Sequence, residues 1–183
     1  MKTFIVALIL LFVLNSATRL AAQDFSAAAE LVVPTGDFSN TSSLGFGATL
    51  RFENPMGKRM SWLITGGGLY TPGKSSYGFQ LPAITLIPVQ TGIKYYFEEQ
   101  MKGFYASAEI GFHHLISSAI SGTFQGISYS FPSMSETDLS YAPGIGFHTS
   151  KGDFGFRYNI ISPSSGSNGT YFGIRMAVIL NPR

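Results

Sequence analysis

The sequence predicts an all-β fold, an eight-stranded antiparallel up-and-down transmembrane β-barrel. Three observations predict it. Apolar and polar residues alternate with period two along nearly the whole chain after residue 23, the signature of strands with two chemically different faces. The segments joining these runs are long and short in turn. The more polar of the two faces carries too little charge to serve as a water-facing exterior.

The elements follow in order. Met1-Lys2 gives a positive start, Phe4 to Leu14 is an unbroken apolar run, and Ala21-Ala22-Gln23 supplies small residues before Asp24. This is the pattern of a secretory leader cleaved near Gln23. The run is shorter than the roughly 20 residues a spanning helix needs, so a leader over 1–23 and a barrel over 24–183 are expected. The first strand covers about Ser26 to Val33, with Glu30 on the opposite side from Ala29 and Leu31. In the second, Leu44, Phe46, Ala48, Leu50 and Phe52 alternate with Gly45, Gly47, Thr49, Arg51 and Glu53. The third, about Arg59 to Tyr70, contains Gly66-Gly67-Gly68, which predicts a bulge or a close approach. In the fourth, Val89, Thr91, Ile93, Tyr95 and Phe97 alternate with Pro88, Gln90, Gly92, Lys94 and Tyr96. In the fifth, Phe104 to Phe112 alternate with Tyr105, Ser107, Glu109, Gly111 and His113. In the sixth, Leu139 to Phe147 alternate with Ser140, Ala142, Gly144, Gly146 and His148. In the seventh, Phe154 to Ile160 alternate with Gly155, Arg157 and Asn159. In the eighth, Phe172 to Leu180 alternate with Tyr171, Gly173, Arg175 and Ala177, with Ile179 out of step.

No helical pattern separates these runs, so a meander is expected. The connections are Pro34–Ser43, Asn54–Lys58, Thr71–Pro82, Glu98–Lys102, Ile116–Thr137, Ser150–Gly152 and Ser162–Asn168. In a meander this places all the long loops at one end, as in transmembrane barrels. Nothing follows the eighth strand before Arg183, so a periplasmic module is not expected.

Composition narrows the function. Of 183 residues only 12% are charged and 45% are hydrophobic, against roughly 25% charged in an ordinary soluble domain. Intrinsic disorder is excluded. The chain has no cysteine, which removes disulfides, thiol catalysis and cysteine metal sites. Without Lys2 and Arg19 the chain has ten basic residues against ten acidic ones, so no nucleic-acid partner is expected.

The facing of the apolar stripe decides the solvent. The other face is glycine-rich, with a few charges of both signs: Glu30, Arg51, Glu53, Lys94, Glu109, Arg157 and Arg175. Eight strands leave an interior just wide enough for side chains to fill it. Glu30 and Glu109 are therefore expected to pair with some of Arg51, Lys94, Arg157 and Arg175 as a lumen charge cluster, closing the barrel to bulk flow. Trp62, Tyr70, Tyr95, Phe97, Phe104, Phe147, Phe154 and Tyr171 lie near strand ends, where interfacial aromatics belong. A soluble lipocalin-like carrier, with the aromatics inside, is the opposite facing.

The turn Pro34-Thr35-Gly36-Asp37-Phe38 followed by Gly45-Phe46-Gly47, the stretch Ile87 to Phe97 and the Ala-Gln end of the leader resemble the small outer-membrane β-barrel family common in Bacteroidetes-type Gram-negative bacteria. The resemblance covers residues 24–183 and implies the cell outer membrane as location, with outer-membrane lipid, lipopolysaccharide and the barrel assembly machinery as partners. Such barrels often end on an aromatic residue; this chain ends Leu180-Asn181-Pro182-Arg183.

No catalytic, cofactor or metal site is expected. His113-His114 with Ser117 and Ser118 is the pattern closest to a hydrolase of membrane lipid. Adjacent strand residues face opposite sides, so only His113 points inward and the two histidines cannot share a metal. His148 belongs near a turn, filling the lumen. Gly66-Gly67-Gly68 lacks the lysine and helix of a phosphate loop. Asn40-Thr41-Ser42 and Asn168-Gly169-Thr170 match glycosylation acceptors, a pattern common by chance. The segment 116–137, with Phe124, Tyr129 and Phe131 among Ser and Gly, is the expected contact for a surface partner, or else a cover for the barrel mouth.

Overall fold

The structure is a computed structural model that describes residues 23–76, 79–124, 127–163 and 168–181. The expected leader lies outside the described residues, apart from Gln23. In chain order the elements are β1 (Asp24–Thr35), the one-turn helix α1 (Phe38–Thr41), β2 (Gly45–Pro55), β3 (Met60–Thr71), the short strands β4 (Ser75–Ser76) and β5 (Phe79–Gln80), β6 (Ile84–Tyr96), β7 (Gly103–Ser117), β8 (Ile120–Phe124), β9 (Ile127–Phe131), β10 (Met134–His148), β11 (Gly152–Ser162) and β12 (Gly169–Ile179).

Eight of these, β1, β2, β3, β6, β7, β10, β11 and β12, form a closed barrel in which each pairs antiparallel with its barrel neighbours and β1 closes on β12. Closure removes the sheet edges and satisfies the backbone internally, which hydrocarbon demands. β4–β5 and β8–β9 are small hairpins set into two connections on one end, the loop end, together with α1. The other end carries only the tight turns after β2, β6 and β10.

One sequence expectation needs correction. The connection 116–137 is mostly strand: β7 runs on to Ser117, β10 starts at Met134, and the two pair over their full extension. Between them Ile120 to Phe124 pairs with Ile127 to Phe131. β-Branched and aromatic residues there alternate with Ser and Gly, a strand pattern. The fourth barrel strand begins at Ile84, just past the expected connection Thr71–Pro82. Of the two alternatives at Gly66-Gly67-Gly68, the close approach holds and the bulge does not, since β2 and β3 stay in one register from Phe46↔Tyr70 to Pro55↔Ser61. Gly67 lies against the backbone of Ala48 and Thr49, where a Cβ has no room.

The outer face is apolar. Phe104, Ile145 and Val178 are 67%, 63% and 63% exposed, whereas Arg157 and Arg175 inside are 2% and 1%. Aromatic pairs ring both ends of the apolar band. Phe104–Phe147 (5.0 Å between centroids) and Phe52–Trp62 (6.1 Å) lie toward the turn end. Phe46–Tyr70 (6.1 Å) and Tyr158–Phe172 (4.8 Å) lie toward the loop end. Tyr171 is not among them. It stands on the inward parity of β12 and is fully buried, as the alternation of the eighth strand requires. Ile179 is also inward.

Candidate functional site

The lumen is filled in layers, built from inward residues two apart on each strand. At its centre Arg157 of β11 is the hub. Its Nη2 donates to Glu30 Oε1 and Oε2 at 2.7 and 2.9 Å, and its Nη1 to Glu109 Oε2 at 3.0 Å. Arg51 Nη2 donates to the other Glu109 oxygen at 2.7 Å, while Thr65 Oγ1 accepts from Arg51 Nε at 3.0 Å and donates to Glu109 Oε2 at 3.0 Å. Small residues make the space: a Cβ on Gly173 would meet Glu30 Oε1 at 2.5 Å.

Toward the turn end lies a second network centred on Asp153. It accepts from Lys94 Nζ (2.6 Å), Arg175 Nη1 (3.1 Å) and Tyr105 Oη (3.0 Å), and lies 3.0 Å from His148 Nδ1. Lys94 also reaches Glu53 at 2.9 Å, and Glu53 accepts from Ser61 and Tyr96 as well. Lys94 Nζ lies 4.0 Å above the Tyr105 ring, a cation–π contact. His148 Nε2 is 3.5 Å from Asp24. A buried ion pair repays its desolvation only when its remaining hydrogen-bonding capacity is also met; the added Thr, Ser and Tyr hydroxyls meet most of it here.

Of the six charged residues expected in the lumen, all are buried. Glu30, Arg51, Glu109 and Arg157 form one network, while Lys94 and Arg175 join through Asp153, not through Glu30 or Glu109. Asp153 was missed because it abuts the turn at Ser150–Gly152; its parity with Gly155 and Arg157 is the signal that places it inside.

Toward the loop end the filling changes. Val32, Phe38, Leu69, Leu86, Ile161 and Tyr171 form an apolar cluster, with Ile84 and Leu115 packed on it. Next to it is a polar layer. His113 Nε2 is 2.8 Å from Tyr171 Oη, and Gln90 Nε2 donates to Ser140 Oγ at 3.1 Å. Asp138 pairs in register with His113 across β7 and β10. His113 Nδ1, Asp138 Oδ2, Gln90 Oε1 and both side-chain polar atoms of Asn159 have no hydrogen-bond partner. His114 faces the other way, 2.8 Å from Thr137 Oγ1, so the two histidines are on opposite sides of the wall. No serine hydroxyl bonds to His113 or His148 among the described residues.

The β8–β9 hairpin carries the expected partner residues. Tyr129 and Phe131 pack 6.0 Å apart, the Gln80 N–H donates to Tyr129 Oη at 3.3 Å, and Phe131 is 45% exposed. The side chain of Phe124 lies outside the described residues. The extended β6, β7 and β10 form a wall at the mouth. On its inner side Ile84, Leu115, Ser117, Met134, Ser135 and Glu136 line an open cavity of about 160 Å³.

No family model matches the chain and no curated protein matches it in sequence. Solved structures do match. Ail, the attachment invasion locus protein of Yersinia pestis, superposes with a TM-score of 0.59 at 13% identity, covering 86% of this chain and 96% of that one. Neisserial surface protein A follows at 0.54 and 14% identity, covering 87% and 97%. The N-terminal β-barrel domain of Pseudomonas aeruginosa OprF matches at 0.53 and 9%, covering 86% and 97%. The chain has the fold of a small eight-stranded outer-membrane β-barrel. At such identities the likeness speaks for architecture alone, and residue roles come from this chain's own geometry.

Proposed function

We propose that this protein is an integral outer-membrane barrel of a Gram-negative, Bacteroidetes-type bacterium. In this reading residues 1–23 are removed on export. The barrel has a structural or surface-interaction role, without a catalytic or conducting one. One observation carries this: the apolar side of every barrel strand faces outward while Arg51, Lys94, Arg157 and Arg175 are sealed inside among carboxylates. Water outside would reverse that facing, which rules against a soluble carrier. An open pore needs a lumen free of crossing side chains, and here Arg157 bridges from β11 to Glu30 on β1 and Glu109 on β7. The segment 116–137 presents Phe131 on its hairpin to outer-leaflet lipopolysaccharide or a surface partner. The lipid-hydrolase reading through His113 loses support because that side chain is fully buried and bonded to Tyr171.

Electrophoresis of unheated and boiled protein in detergent tests the reading. The folded barrel is expected to migrate apart from the boiled chain; identical mobility overturns it. Planar-bilayer recording is expected to show no porin-sized conductance steps.

A further inference from the structure

We propose that His148 is a proton-operated latch at the turn end of the barrel, tying the start of β1 to β10 and β11 while both ring nitrogens carry hydrogen and releasing β1 when one proton leaves. The inference rests on the reading that the turn end faces the periplasm, so the pH that the latch senses is the periplasmic one.

The geometry of the imidazole carries this. Its Nδ1 is 3.0 Å from Asp153 Oδ2, and its Nε2 is 3.5 Å from Asp24 Oδ2, within ion-pair distance. A carboxylate only accepts, and a neutral imidazole has a single N–H. In the neutral ring one of the two contacts would set a nitrogen lone pair against a carboxylate oxygen. Only the imidazolium donates on both sides. Asp153 stands opposite His148 in register, whereas Asp24 lies on β1, separated from β10 by β11 and β12 around the barrel. The ring therefore crosslinks strands that share no backbone hydrogen bonds.

Charge balance agrees with the geometry. The turn-end network buries three carboxylates, Asp24, Glu53 and Asp153, against two permanent cations, Lys94 and Arg175. In the central network Glu30 and Glu109 are matched by Arg51 and Arg157. A charged His148 is the cation that completes the turn-end count, and buried charges must be matched. The other ionisable groups around it are Glu53 on β2, Lys94 and Tyr96 on β6, Tyr105 on β7, Arg175 on β12 and exposed Lys102 at the turn. Lys94 opposes the ring charge, since it shares Asp153 Oδ2 with it at 2.6 Å. The Tyr96 ring meets the imidazole edge-on at 5.6 Å. The proton has a route. Asp24 and His148 line a cavity of about 20 Å³ with Gln100, Lys102 and Ser150 of the turns, room for about one water. The proton leaves Nε2, on the Asp24 side, to solvent through this opening.

The test uses the full chain with isotope-labelled histidine, folded in phospholipid nanodiscs. Ring-nitrogen resonances are followed from about pH 5 to about pH 10, on either side of the ordinary imidazole value. Both nitrogens of His148 are expected to carry hydrogen at neutral pH, and Nε2 to lose it in the alkaline range. Amide resonances of residues 24–26 should shift with the same midpoint. Stability should fall over that interval, because the folded barrel then gives up a proton that the unfolded chain has already lost. Read as the urea midpoint in lipid vesicles, the advantage of wild type over His148→Gln should be full near neutral pH and vanish at the alkaline end. Asp24→Asn is the second variant. Its amide can donate to a neutral Nε2, so His148 should lose its proton at a lower pH than in wild type, and residues 24–26 should shift far less. If His148→Gln does not fold, the ring resonances and Asp24→Asn decide. A single ring hydrogen at neutral pH, parallel stability curves for wild type and His148→Gln, or unchanged ring titration in Asp24→Asn overturns the inference. A heat-modifiable barrel that fails these tests defeats the latch alone; a chain without heat-dependent mobility defeats the functional reading beneath it.

Discussion

In the central and turn-end part of the lumen, Arg51, Lys94, Arg157 and Arg175 interlock with Glu30, Glu53, Glu109 and Asp153. At the outer mouth, Val32, Leu69, Leu86, Ile161 and Tyr171 pack as an apolar cluster instead. Both regions are built on the same inward parity of the same strands. The difference lies in how each fails. A charge network is intolerant of losing one member, because the partner is left buried and uncompensated. An apolar cluster beside an open cavity loses contacts in proportion to the atoms removed and relaxes into the space.

The sharpest way to break the comparison is Arg157→Met. It strands Glu30 and leaves Glu109 with Arg51 alone, and should cost about 3–5 kcal/mol, read as a lower urea midpoint for unfolding from lipid vesicles. A loss under 1 kcal/mol would show that the network is not the barrel's main lumen support. Ile145→Arg, on the lipid face, should cost about 2–4 kcal/mol if the residue lies near the bilayer midplane, measured the same way; a neutral result would place Ile145 in water. Leu86→Ala in the mouth cluster should cost about 2–3 kcal/mol, the low end for a leucine truncation, because the neighbouring cavity allows collapse. A cost equal to that of Arg157→Met would erase the contrast between the two fillings. Phe131→Ser on the β8–β9 hairpin should change stability by less than about 0.5 kcal/mol, measured by the same urea midpoint; a larger loss would show that the ring supports the barrel rather than standing free of it. Raising salt to 1 M should leave the buried networks intact, since it screens exposed pairs such as Arg59–Glu99 at 3.3 Å far more than sealed ones.

Strand number, order and facing were legible in the sequence because period two reports parity directly. Arg51, Glu109, Arg157 and Arg175 alternate cleanly with lipid-facing neighbours, so their inward direction followed. Depth was not legible, since parity carries no height. Leu69 and Leu86 share the inward parity of Arg51 and Lys94, yet only the three-dimensional stagger of the strands puts them in a separate apolar layer. Asp138 was assigned to the edge of a loop, because the polar run Ser135-Glu136-Thr137-Asp138 hides that β10 already begins at Met134. Tyr171 shows the limit of composition: an aromatic near a strand end reads as interfacial, and its parity is what overrules that.

The seam where β1 meets β12 has a consequence for biogenesis. Glu30 waits for Arg157, 127 positions later, and Ser26 for Arg175, 149 positions later. Glu30 therefore stays without its ion-pair partner until β11, the second-last strand of the barrel, has been delivered. A chain cut short before β11 would leave Glu30 buried without its guanidinium, so the residue that fills the finished barrel is also one whose absence makes a truncated barrel costly to close.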